Sequence, residues 1–154
     1  MTADVIGRLA ELGLELPKVT PPLAAYVPAL RHGNFVYVSG QLPMVDGALL
    51  ATGQVGTDVS ADEAKVLARR CALNALAAVA TVADVNEIDQ VIKVVGFVAC
   101  APDFTGQPGV INGASEFLGE VFGDAGKHAR SAVGVAALPL GAPVEVEFIF
   151  SLRG

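Results

Sequence analysis

Tryptophan is absent from this chain, and cysteine, histidine, methionine and tyrosine occur only twice each. Cys71 and Cys100 follow no metal-ligand spacing, and His32 and His128 lie far apart, so neither a metal nor any other cofactor is expected. Both cysteines read as reduced core residues. Charge is scarce as well, at 17% of residues, and the net charge is −6. Basic residues never cluster beyond Arg69-Arg70. A phosphate backbone demands a positive surface, so nucleic acid is not an expected partner. No segment supplies the roughly 18 uninterrupted apolar residues of a membrane span, and no membrane partner is expected. The first residues, with Asp4, Arg8 and Glu11 scattered through them, lack the basic stretch and apolar core of a signal peptide. With its thiols reduced, the chain is expected in the cytoplasm.

What is abundant is apolar: 53% of residues, with a mean hydropathy of +0.55. The 154 residues suffice for one domain spanning 1–154, with 1–21 forming an N-terminal helix and an extended connector. An apolar surplus without a membrane span is best buried against other copies of the chain, which predicts a homo-oligomer.

Residues Asp4 to Leu12 have the periodicity of a short amphipathic helix closed by Gly13. The prolines between Pro17 and Pro22 require an extended connector. Strands are predicted at Leu23 to Leu30 and Phe35 to Gln41, joined by an R-H-G-N turn, with a second tight turn at Asp46-Gly47. Ser60-Ala61-Asp62-Glu63 is a capping box opening a helix from Ala61 to about Ala83, whose buried stripe is Leu67, Cys71, Ala75 and Val79. Val91 to Ala99 reads as a mostly buried strand and Val110 to Phe122 as a second helix. Helices then cover one face of a mixed sheet, leaving the other face for partner copies.

The last part of the chain carries the chemistry. Two strands, Arg130 onward and Val144 to Ile149, are expected as a hairpin. By the period of two, Glu145 and Glu147 share a face of one strand, and Arg130, Ala132 and Gly134 share a face of the other. An arginine among small residues suits a small carboxylate, which a planar guanidinium binds through two bonds. A turn centred on Leu138-Pro139 would make Arg130 the diagonal neighbour of Glu145 and build one pocket. A turn at Leu140-Gly141 would separate them, and they could then cooperate only across a subunit boundary. The first register is expected, because it places small Ala132 beside the carboxylate.

Two motifs carry a family resemblance: G-N-F-V-Y-V-S-G-Q-L-P at Gly33 to Pro43, and R-S-A-V-x-V-x-x-L-P-x-G-A-x-V-E-V-E from Arg130 to Glu147. Together they resemble the Rid family, the YjgF-like reactive-intermediate deaminases. The resemblance implies an α+β, chorismate-mutase-like fold: a mixed sheet with two helices on one face, three copies packing their sheets into a homotrimer, and pockets between subunits. It implies hydrolysis of small 2-imino or enamino acids to 2-keto acids with release of ammonia. It also implies that Arg130 clamps the substrate carboxylate with help from the Gly40 amide in Ser39-Gly40-Gln41, and that Glu145 holds the attacking water. Tyr26 matches the pocket tyrosine and Asn112 the asparagine opening the last helix. Ala132 departs from the pattern, since the deaminases carry a cysteine there.

Each assignment has a plainer alternative. Arg130 could form an intersubunit ion pair with Glu145 or Glu147, Tyr26 could anchor an interface, Asn112 could cap a helix, and Ser39 could only shape the pocket. His32 and His128 read as surface residues without a nucleophile partner. At the level of function, the alternatives are a noncatalytic carboxylate-binding trimer and a ribonuclease, the latter opposed by the acidic balance and the lack of a histidine pair.

Overall fold

A computed structural model describes residues 4–19, 21–22 and 25–154. Its longest strand is β5 (Ile88–Ala99), an interior strand of the sheet whose Val91, Val94 and Val98 are buried. A strand this rich in buried β-branched residues belongs in the interior of a sheet, and β5 has a partner on each side. The sheet order is β1 (Ala29–His32), β2 (Phe35–Gln41), β7 (Val144–Leu152), β5, β6 (Ala129–Val135). All neighbours are antiparallel except β5 and β6. A separate ribbon, β3 (Met44–Val45) and β4 (Ala48–Leu49), turns through Asp46 and Gly47, both at positive φ.

This order overturns the expected hairpin. β6 and β7 are not neighbours, since β5 lies between them, and neither anticipated register exists. The Leu138–Gly141 connection is wide enough to step over a strand, with a 3-10 turn at Pro139–Gly141 and Leu140 at positive φ.

The two long helices lie on one face. α2 (Ala61–Val79) begins as the capping box predicts, with Ser60 Oγ accepting from the Glu63 amide at 3.1 Å. The reciprocal contact runs between side chains, the Ser60 hydroxyl meeting Glu63 Oε1 at 3.3 Å. The helix stops at Val79, short of the expected Ala83. α3 (Gln107–Phe122) starts earlier than expected, with Gly106 at its N-cap. The helices approach closely where Gly113 faces the Lys65 carbonyl, and the seam is bridged by Lys65–Glu116 at 3.0 Å and Arg69–Glu120 at 3.1 Å.

α1 (Val5–Glu11) buries Val5 and Leu9, and its first amides are capped by Asp4 Oδ1 on Gly7 and Asn86 Oδ1 on Val5. Arg8 Nε ties it to the Glu120 carbonyl at 2.7 Å. The connector after it is irregular, as its prolines require. The strand expected over Leu23 to Leu30 is present only from Ala29; residues 23 and 24 lie outside the described residues, and Ala25 and Tyr26 form a bend.

Candidate active site

The sheet register sorts the predicted site residues by face. Arg130 pairs with Val94, and Val94 with Phe148, both core residues, so Arg130 points to the helix side. Glu145 pairs with Phe97 in a row with Val133 and points to the open side. Two strand spacings and three residues along the strand put their backbones about 14 Å apart. With opposite facing added, Arg130 and Glu145 share no cavity within the protomer.

The structure instead builds two half-sites. The first surrounds a bulge in β2: Val38 pairs with Phe148 but Gln41 with Val146, so Ser39 and Gly40 together stand opposite the single residue Glu147. Ser39 Oγ donates to the Val27 carbonyl at 2.6 Å, and Gln41 Nε2 donates to the Ser39 carbonyl at 3.0 Å. Tyr26, Ser39 and Gly40 line one cavity of about 70 Å³, with Pro21 and Pro22 of the connector as part of its wall. Asn74 of α2 forms its floor, its Nδ2 donating to the Leu42 and Met44 carbonyls at 3.1 and 3.0 Å. The Glu145 carboxylate packs against Gly40 so closely that any Cβ there would overlap it. Burial, and then the Glu147 carboxylate beside it, push the Glu145 pKa up. A half-buried carboxyl whose pKa is raised is better suited than an exposed one to give or take a proton near neutral pH.

The second half-site is on β6, an edge strand. Arg130 Nη1 donates to Asn112 Oδ1 at 2.8 Å and to Ser115 Oγ at 3.2 Å, and Nη2 reaches the Pro108 carbonyl at 3.4 Å. Every partner is neutral, and among the described residues Arg130 forms no ion pair. Asn112 therefore neither caps nor opens α3; it sits in the second turn and orients the arginine. Ser115 and His128 were not anticipated. His128 does have a hydroxyl partner, its Nε2 lying 2.8 Å from Ser115 Oγ. Both were within reach of the periodicities: Ser115 follows Asn112 by one helical turn, and His128 precedes Arg130 by one strand repeat.

A cavity of about 440 Å³ lies further along β6 between Gln54, Cys100, Phe104, Gln107 and Gly134. No charged side chain lines it, so a carboxylate there would lack a counter-ion. Cys71 and Cys100 are free and buried, and burial pushes the Cys71 thiol up, which makes it a poor nucleophile. Among the described residues, no cluster of His, Cys, Asp and Glu could hold a metal, and no helix is long and apolar enough to cross a membrane.

A bulged strand presenting Ser39-Gly40 and an edge arginine over the last helix define a recognisable class. Residues 6–151 match the family model described as "YjgF/chorismate_mutase-like, putative endoribonuclease". The chain belongs to the YjgF/chorismate-mutase-like family. It is 41% identical over 151 residues to Protein TCP17 of Trypanosoma cruzi, covering 97% of this chain and 94% of that protein. The crystal structure of Atu1372 from Agrobacterium tumefaciens is 47% identical, covering 96% of this chain and 91% of that one, with a TM-score of 0.86. A Shewanella oneidensis structure superposes with a TM-score of 0.91 at 32% identity, covering 96% and 99% of the two chains.

Proposed function

We propose that the protein hydrolyses small 2-imino or enamino acids to 2-keto acids, releasing ammonia, in pockets between the subunits of a homotrimer. The observation that carries this reading is the state of Arg130. Its guanidinium is held by three neutral oxygens and its charge is left without a carboxylate partner among the described residues. A cation oriented but uncompensated is a receptor for a small carboxylate.

The first half-site supplies the rest. A cavity of about 70 Å³ is too small for a substrate with its side chain, so it needs a second wall. With Arg130 on the edge strand at one side of the sheet and Gly40 near the other, that wall comes from another copy. The reaction asks little: a protonated imine is already electrophilic, and fixing its carboxylate beside one oriented water provides most of what is needed. Water adds to the imine carbon as the C–O bond forms. The C–N bond then breaks as the added hydroxyl oxygen forms the keto C=O, and both protons of the water leave with the nitrogen, as ammonium from the protonated imine. Glu145, a carboxyl with a raised pKa against Gly40, is the group suited to hold that water and relay its proton.

Ala132 in place of the deaminases' cysteine favours a second reading, a trimer that binds small carboxylates without turning them over. The endoribonuclease of the family description would have to hold a polyanion on a chain of net charge −6 with dispersed basic residues. The deciding measurement is the rate of pyruvate and ammonia appearance from freshly generated 2-iminopropionate. Release faster than the spontaneous reaction, falling to background with Arg130→Ala, is expected. Tight pyruvate binding with no acceleration would leave the binding protein as the answer.

A further inference from the structure

The proposed reaction uses Arg130 but not the hydrogen-bond chain behind it. His128 Nδ1 lies 2.6 Å from the Gly126 carbonyl oxygen, which can only accept, so Nδ1 carries the ring proton. In the neutral ring Nε2 is then an acceptor, and the Ser115 hydroxyl 2.8 Å away has its one proton to give there. The serine oxygen consequently turns a lone pair toward Arg130 Nη1 at 3.2 Å. With the ring neutral, each link sets the polarity of the next. The opposite tautomer would make Nε2 a donor and free the hydroxyl proton to face the cation, where it has nothing to bond.

The chain is anchored at both ends in packed backbone. Gly126 is buried against α3 so tightly that a Cβ would overlap the Leu118 carbonyl, and the carbonyl that sets the tautomer cannot drift. Ser115 and Asn112 are one turn apart on the same helix, and both hold Nη1.

We propose that His128, acting through Ser115, is a positioning residue for Arg130, holding Nη1 against α3 so that the rest of the guanidinium fork is presented at the sheet edge. This deepens the carboxylate-binding reading and rests on it. A guanidinium on a flexible stem otherwise loses rotamer freedom each time it binds, and a seat already built reduces that cost.

The test uses the full chain and pyruvate as probe. In calorimetric titrations Ser115→Ala and His128→Leu should each weaken pyruvate binding about tenfold, the size of one hydrogen bond to a charged group. Ser115→Thr keeps the hydroxyl, and His128→Gln can place an acceptor near the Nε2 position, so both should return to within about twofold of the parent if polarity rather than bulk is what matters. A second readout needs no ligand. The Nη resonances of Arg130 should be separate and slowly exchanging in the parent, averaged in Ser115→Ala and His128→Leu, and the ring ¹⁵N spectrum should place the His128 proton on Nδ1. Parent-like pyruvate affinity in both Ser115→Ala and His128→Leu, or Nη resonances already averaged in the parent, would overturn the proposal. Arg130→Ala with undiminished pyruvate affinity would instead overturn the carboxylate reading, and the Nη spectra would still decide whether the relay seats the guanidinium.

Discussion

Glu145 and Arg130 are the two charges that the fold treats unequally. Burial and the neighbouring Glu147 raise the Glu145 pKa, so the folded chain holds this proton more tightly than the unfolded chain does. Stability from this group is therefore greatest below the ordinary carboxylate range. It falls as pH rises through the raised value, and the cost is constant above it. Glu145→Gln should remove that cost: urea denaturation between about pH 4 and pH 8 should show the variant gaining on the parent as pH rises. A variant equally or more strongly destabilised at the upper end would contradict the assignment. For Arg130 the issue is shape. Arg130→Lys keeps the charge but loses the planar fork that spans Asn112, Ser115 and Pro108, so it should recover little of the affinity lost in Arg130→Ala. That loss is expected at about 2 to 5 kcal/mol in calorimetry with pyruvate; near-parental binding by the lysine variant would mean that charge alone suffices.

Among the elements, the seam between α2 and α3 is the joint on which the second half-site depends, because α3 carries both Asn112 and Ser115. Gly113, between them, permits backbone contact with the Lys65 carbonyl of α2, and a methyl group there has no room. Gly113→Ala should cost about 1 to 3 kcal/mol or more, since backbone rather than a flexible side chain must yield. Thermal unfolding checks this, and a melting temperature equal to or above the parent's would show that the seam is looser than its geometry. Because α3 would shift with the seam, pyruvate affinity should fall in the same variant. α1 adds a second constraint at the far end of α3, through Arg8 on the Glu120 carbonyl, and the connector that follows it brings Pro21 and Pro22 to the first half-site.

At the scale of the molecule, no described residue covers the side of the sheet away from the helices. Leu30, Tyr37 and Phe35 are 58%, 45% and 43% exposed, and Val133 is 44% exposed on β6. Leu30, Tyr37, Ile149 and Lys93 follow one another across four strands by register, which makes the exposure a continuous face. Such a patch is a site of association. Light scattering at micromolar concentration should give a trimer, and Val133→Asp should shift it toward monomer and abolish imine hydrolysis together with it. A stable monomer of the parent chain would end the intersubunit pocket.

Facing was legible in the residues themselves. Glu145 and Glu147 do share a side, as do Arg130, Ala132 and Gly134, because side-chain alternation is a local property of an extended backbone. The Ser60 cap, the turn at Asp46-Gly47 and the bounds of β2 were legible for the same reason. The family motifs named the residues of the site but not their arrangement in one chain. Which strand lies beside which is decided by competition for burial over the whole chain. The largely apolar β5 was inserted between β7 and β6, and this single choice placed Arg130 and Glu145 on opposite sides of the protomer. Only the folded backbone could also bring His128 to Ser115, since that contact depends on how the turn at Gly126 packs against α3.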